Sequence, residues 1–361
     1  MLRTRTNTRD WIRRGPLVVA LLAAFLAGSC NSDEADPLAP NDPPDVSPDV
    51  PTVDSAPAVD SQPPVDSQPP QAAPGAYTGI PYGPFGLWHL ADVEWGPQPF
   101  TGSHNYTSAD SIVQQISAAR AMGQRLVLAM AGGLSEQYTT NGQFDMTKWK
   151  NRMDTYKTDT IRDAVAAGVA DGTIIGNMLI DEPETKQWGT ILTKGMIDEM
   201  AAYVKNIFST LPVGVNHGPP AYNKWRTSER YQLVDYVLYQ YAHYVTSGNV
   251  VAWRDAVLAQ ASHEGVTPAL SLNIINGGAQ DRDGTWDCTG EGQAGRGTRA
   301  PRCRMTSTQL RNWGKALATY GCFLMMWRYD GTYMSADSNQ AAFTEIASLV
   351  ASQPRRSCAR P

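Results

Sequence analysis

Charge of either sign is scarce where it would matter most. Residues 76–361 hold 25 basic and 25 acidic residues, so the bulk of this 361-residue chain carries no net charge. Binding to DNA, RNA or another polyanion draws on a surplus of cations, and is therefore disfavoured. Histidine and cysteine number only five each. There is no Cys-x-x-Cys pair, no His-x-His and no His-Glu-x-x-His, so the sequence gives no reason to expect a metal or a cofactor. No Gly-x-Gly-x-x-Gly loop follows the first strand-like run, which argues against a doubly wound dinucleotide-binding sheet. Residues 31–75 contain no aromatic residue to seed a core and no Lys or Arg. The apolar run Pro16 to Gly28 falls short of the about 20 residues that a membrane helix needs.

What is present at the N-terminus reads as an address and a tether. Five Arg precede the apolar run, as in a secretory signal. The run ends Leu26-Ala27-Gly28-Ser29-Cys30, which resembles the lipobox of bacterial lipoproteins. The resemblance implies lipid on Cys30 and anchoring at the cell envelope; an ordinary cleaved signal and secretion is the alternative. Residues 31–75 hold 12 of the 25 Pro and eight Asp, and Val59 to Pro64 recurs unchanged at Val65 to Pro70. Proline stiffens this stretch and the carboxylates repel one another, so a disordered, semi-rigid spacer is expected. The expected organisation is a signal over 1–30, a linker over 31–75 and one domain, expected monomeric, over 76–361.

Beyond the linker, apolar runs alternate with amphipathic segments. Strands are expected at Pro84 to Leu90, Arg125 to Ala131, Thr173 to Asp181, Pro212 to Asn216, Val234 to Tyr241, Thr267 to Ile275 and Cys322 to Trp327. An eighth is expected between Ala91 and Tyr106. Helices between them show apolar residues at helical spacing, as at Ile112, Val113, Ile116 and Ala119 with Ser108 as cap. Thr306 and Gln309 form a capping box. Strand–helix alternation over about 280 residues predicts a (β/α)₈ barrel. Four cysteines remain beyond Cys30. In an oxidising compartment the even count suggests two disulfides; of the three possible pairings, Cys288 with Cys303, which share one polar Gly-rich loop, and Cys322 with Cys358 is the favoured one.

In such a barrel the site lies at the C-terminal ends of the strands. Reading those ends collects Trp88, His89 and Glu94; Asp181, Glu182 and Glu184; Asn216 and His217; Gln240 and Tyr241; Asn273; and Trp327 with Asp330. Carboxylates, amides and aromatic rings together suit a sugar, which offers hydroxyls to bond and flat C–H faces to stack. An apolar strand running into Asp181-Glu182-Pro183-Glu184 is the most informative segment, although acids at a helix start can also offset the dipole.

Here the chain resembles the clan A glycoside hydrolases, whose fourth strand ends in Asn-Glu-Pro. The resemblance implies that Glu182 is the general acid/base, that Asp181 orients it or binds a hydroxyl, and that Trp327 floors the site. It also implies a nucleophilic Glu at the end of the seventh strand, where this chain has Leu272-Asn273-Ile274. A second carboxyl would then come from Glu94, Asp330, Asp281 or Asp283. The expected function is cleavage of a polysaccharide or glycan. A carbohydrate-binding protein without catalysis is the main alternative, and a metal-dependent hydrolase using His217, Asp181 and Glu182 a third.

Overall fold

The computed structural model describes residues 78–87, 99–219, 229–243, 249–278 and 303–361. Eight parallel strands form the frame: β1 Tyr82–Pro84, β2 Gly102–Tyr106, β3 Arg125–Ala129, β4 Ile174–Asp181, β5 Val213–His217, β6 Tyr236–Tyr241, β7 Thr267–Asn273 and β8 Leu324–Trp327. From β2 to β8 each strand pairs with the next in chain order, and β8 pairs with β1 in the register Tyr82 to Leu324. A parallel bridge between Phe85 and His104 joins β1 to β2 and closes the ring. The fold is the expected (β/α)₈ barrel.

Helices pack around it: α1 Ile112–Ala121, α2 Met146–Asp154, α3 Asp159–Asp171, α4 Lys194–Ile207, α5 Val250–Glu264, α6 Ser307–Leu317, α7 Gly331–Ser335 and α8 Asp337–Ala351. Their limits follow local chemistry. Thr158 and Thr193 accept backbone N–H bonds at the starts of α3 and α4, and the Thr306–Gln309 capping box is formed at α6. Gly172 ends α3 with φ 83°, a left-handed turn that glycine adopts without a steric penalty. Ser108 does not cap α1. It opens a turn that receives the Ser111 and Ile112 N–H groups, and the helix starts three residues later than expected. The first strand is also shifted, ending at Pro84 where the sequence suggested a beginning.

Period-two alternation splits the apolar residues into two cores. Leu126, Leu128, Leu179, Val213 and Val215 face the helices. Val127, Ala129, Met178, Leu238, Ala269 and Met325 fill the barrel. At its lower end Tyr236 packs edge-on against Phe323, 5.5 Å between centroids. The Tyr236 ring lies where side chains at positions 176 and 214 would otherwise be, and both positions are glycine: a Cβ on Gly176 would meet Tyr236 Cε1 at 2.6 Å. The expected Cys322–Cys358 disulfide belongs to this layer and ties the C-terminal tail across the floor. Beyond it, Arg360 donates to the Tyr231 and Val234 carbonyls and Thr267 to the Ala359 carbonyl. The other expected pair, the proposed signal and the linker involve residues outside those described.

Candidate active site

The fourth strand delivers its carboxylates at the upper end of the barrel. A register irregularity between Met178 and Asp181 against β5 brings Asp181 opposite Asn216. The Asn216 amide donates to the Asp181 carboxylate. The Asp181 backbone is pinned as well, its carbonyl accepting from Gln187 Nε2 at 2.8 Å and Trp188 Nε1 at 2.6 Å. Burial raises the carboxyl from its ordinary value to about 6; the Asn216 bond opposes this rise and the charge of Glu184 adds to it. A carboxyl of this kind exists in both protonation states near neutrality.

Glu182 follows with φ 38°, a left-handed backbone, and its N–H donates to the Asn216 carbonyl at 2.9 Å. Its carboxyl lies over Gly218, where any Cβ would collide with it. Glu184 is buried and grips the tip of β5: Oε1 accepts the Gly218 N–H at 2.8 Å and Oε2 meets His217 Nδ1 at 3.2 Å. His217 Nε2 is 3.0 Å from the Tyr231 hydroxyl. Glu184 and His217, both expected among the substrate-binding residues, are thus bonded to each other across the ends of β4 and β5.

Asp181 opens into a cleft of about 470 Å³, open solvent included, in the mouth of the barrel. Phe85, Tyr106 and Trp327 form its aromatic wall, with ring centroids 4.8 and 4.9 Å from Phe85. His104, Asn216, Gln240 and Ser271 add polar groups, and Met178, Met325 and Met326 supply apolar surface. Glu182 does not line this cleft, and among the described residues Asp181 is its sole carboxylate. Burial depresses His104 to about 3, so its ring is neutral. Tyr106 is likewise held protonated by burial and by the neighbouring Asp181 charge. Its ring covers Gly133, which leaves no room there for a side chain.

Four expected site residues are placed elsewhere or are already engaged. Tyr241 points outward and packs 5.2 Å from both Trp253 and Trp313, because Gln240 takes the inward position on β6. Asn273 accepts the Asn276 N–H at 3.0 Å and donates to Gln240 at 3.4 Å, so it holds the β7 tip. Asp330 caps α7 through the Tyr333 N–H and pairs with Arg304 at 3.1 Å. His217 is buried and bonded to Glu184. Trp88, His89, Glu94, Asp281, Asp283, Cys288 and Cys30 lie outside the described residues. His104 and Tyr106 were not anticipated. The signal that could have found them is a polar segment, Gly-Ser-His-Asn-Tyr, at the spacing of a missing strand.

Among the described residues no group of three His, Cys, Asp or Glu could hold a metal ion, and no helix is long and apolar enough to cross a membrane.

No protein-family model matches the chain, and no curated protein matches its sequence. Solved structures do. The chain is similar to the endo-1,4-beta-mannanase from Rhizomucor miehei, with TM-score 0.51 and 11% identity over 76% of this chain and 95% of that one. It is also similar to a thermostable mutant of a xylanase from Cellvibrio japonicus, with TM-score 0.45 and 10% identity over 74% and 97%. At such identity the likeness is one of fold. The protein is a (β/α)₈ barrel with a half-buried carboxyl in its mouth.

Proposed function

We propose that the barrel mouth is the active site of a glycoside hydrolase and that Asp181 is its proton-transfer carboxyl. The observation that carries this reading is the half-buried Asp181 carboxyl, held by Asn216, raised to about 6 and set among Phe85, Tyr106 and Trp327. Aromatic faces stack on sugar rings, and a carboxyl near 6 suits a group that must give and regain a proton at working pH. Protonated Asp181 donates to the glycosidic oxygen as its bond to the anomeric carbon breaks and the electron pair leaves with that oxygen. The resulting carboxylate takes a proton from the water that completes hydrolysis. A second carboxyl assists attack, about 5–5.5 Å away if it is the nucleophile and about 6.5–9.5 Å if it activates water. Glu94, Asp281 and Asp283 are the acids proposed for that part.

Glu182 is the rival proton donor, because the motif resemblance assigns it that role. Comparing Asp181→Asn with Glu182→Gln on a glycan found by library screening decides between them. Asp181→Asn is expected to lower turnover by about 10²–10⁴-fold and Glu182→Gln by much less; the reverse order hands the role to Glu182. Asn273 at the β7 tip favours a second reading, binding without cleavage. Glycans that bind but are never cut would establish it.

We also propose export with a lipid on Cys30. The Cys322–Cys358 disulfide supports an oxidising compartment. Mass spectrometry of the mature N-terminus tests the anchor, and an unmodified Cys30 would remove it.

A further inference from the structure

Most buried polar atoms in a folded protein are paired, since leaving one without a partner costs about 1–3 kcal/mol. Two atoms without a partner among the described residues, His104 Nε2 and Asn216 Oδ1, belong to residues that line the same cleft as Asp181. Both residues are almost wholly buried, 6% and 5% exposed. Asn216 spends its amide N–H on Asp181, which leaves the amide oxygen as an acceptor. His104 packs its ring edge-on against Phe85, 4.6 Å between centroids.

We infer that His104 and Asn216 form a hydroxyl-binding pair that seats one uncharged sugar ring against Asp181. The inference rests on the reading of the cleft as a carbohydrate site and adds to it the inner contacts and the charge of the bound ring. A hydroxyl donates and accepts at once. The Asn216 oxygen takes its proton, and a neutral imidazole nitrogen gives or takes a bond according to its tautomer. Neither residue offers a cation, because burial keeps His104 neutral. A sugar carboxylate seated there would meet the Asp181 carboxyl without a counter-charge from the pair. The pair itself therefore favours neutral rings over uronates, and the Arg328 charge that reaches the Tyr106 hydroxyl is the cation a uronate would have to use instead.

The test uses the full chain labelled with ¹⁵N in histidine and tryptophan. It is titrated with methyl glycosides of xylose, mannose, glucose and galactose, and separately with glucuronate. At least one neutral glycoside is expected to move the His104 Nε2 resonance, and glucuronate is not. His104→Leu is expected to weaken that glycoside by about tenfold, the loss of one hydrogen bond. His104→Gln restores most of the binding because it keeps a donor and an acceptor. The thermal midpoint of sugar-free His104→Leu should not fall, since the change deletes an unpaired buried group. A glycoside that moves the Trp327 indole signal but leaves His104 unmoved, and binds His104→Leu equally well, overturns the inference while the carbohydrate reading stands. Tighter binding of glucuronate than of every neutral glycoside overturns it too. If no sugar binds, both fall.

Discussion

The two ends of the barrel are built on opposite terms. At the lower end Tyr236, Phe323 and the Cys322–Cys358 disulfide fill the interior, and the tail is tied to the starts of β6 and β7. Asp235 there accepts the Val213 N–H at 2.8 Å and pairs with Lys205 at 2.9 Å. At the upper end a half-buried carboxyl is raised above its ordinary pKa by desolvation, and one amide oxygen and one imidazole nitrogen have no partner among the described residues. The lower end is filled by packing and a covalent tie, although the Tyr236 hydroxyl has no partner among the described residues, whereas the upper end is a cleft that holds a carboxyl above its ordinary pKa. Barrels of this kind place their chemistry at the C-terminal ends of the strands and leave the opposite face to hold the fold. The difference teaches that substitutions at the two ends should separate stability from activity.

The largest separation is expected for Cys358→Ala. The disulfide joins residues 36 apart in sequence, and a loop of that length is worth about 3–4 kcal/mol on the chain-entropy account. Urea unfolding of the variant should show that loss, while the Asp181 and His104 resonances of the folded protein stay in place. Matching changes at the mouth would break the comparison by showing that floor and cleft are one unit.

A smaller effect is expected at the mouth, with the opposite sign. Asp181 holds its proton more tightly in the folded chain, about 6 against 3.8 unperturbed. The folded state thus binds more protons between those values, and wild-type stability falls as pH rises from about 4 to about 6, then levels. Asp181→Asn lacks this slope. Relative to wild type it should gain about 1.4 kcal/mol per unit of displacement between pH 4 and pH 7, offset by any weakening of the Asn216 contact. Denaturant midpoints at the two pH values measure it, and parallel wild-type and variant curves would show that Asp181 carries no such penalty. In turnover, the proton-donor role predicts a decline above pH 6 that is tenfold per unit once Asp181 is largely ionised.

The apolar runs made most of the barrel legible. Arg125–Ala129, Ile174–Asp181 and Tyr236–Tyr241 are buried strands of hydrophobic character and lie where the sequence suggested. The even cysteine count pointed to Cys322 with Cys358, and Thr306-x-x-Gln309 marked α6. β2 was hidden because Gly-Ser-His-Asn-Tyr is buried without being apolar: Ser103, His104 and Asn105 sit inside for what they bond or bind. Burial of polar groups leaves no hydrophobic pattern, so His104 and Tyr106 escaped with it. Asp181 and Glu182 were both visible, yet which of them lines the cleft of Phe85, Tyr106 and Trp327 was not. The irregularity in β4 and the left-handed backbone at Glu182 decide which carboxyl enters the cleft, and neither is written in the spacing. On β6, strict alternation would have kept Gln240 and rejected Tyr241.

The Tyr236 ring over Gly176 and Gly214 has a consequence for how this sequence can change through descent. Three positions on neighbouring strands share one volume, so none is free to drift alone. An alanine at 176 or 214 meets the ring, and a smaller residue at 236 leaves a hollow beneath Phe323. Mutational paths through the barrel floor must therefore pass by paired exchange, a smaller residue at 236 accompanying a larger one at 176 or 214. The three residues are inherited as a single packing unit.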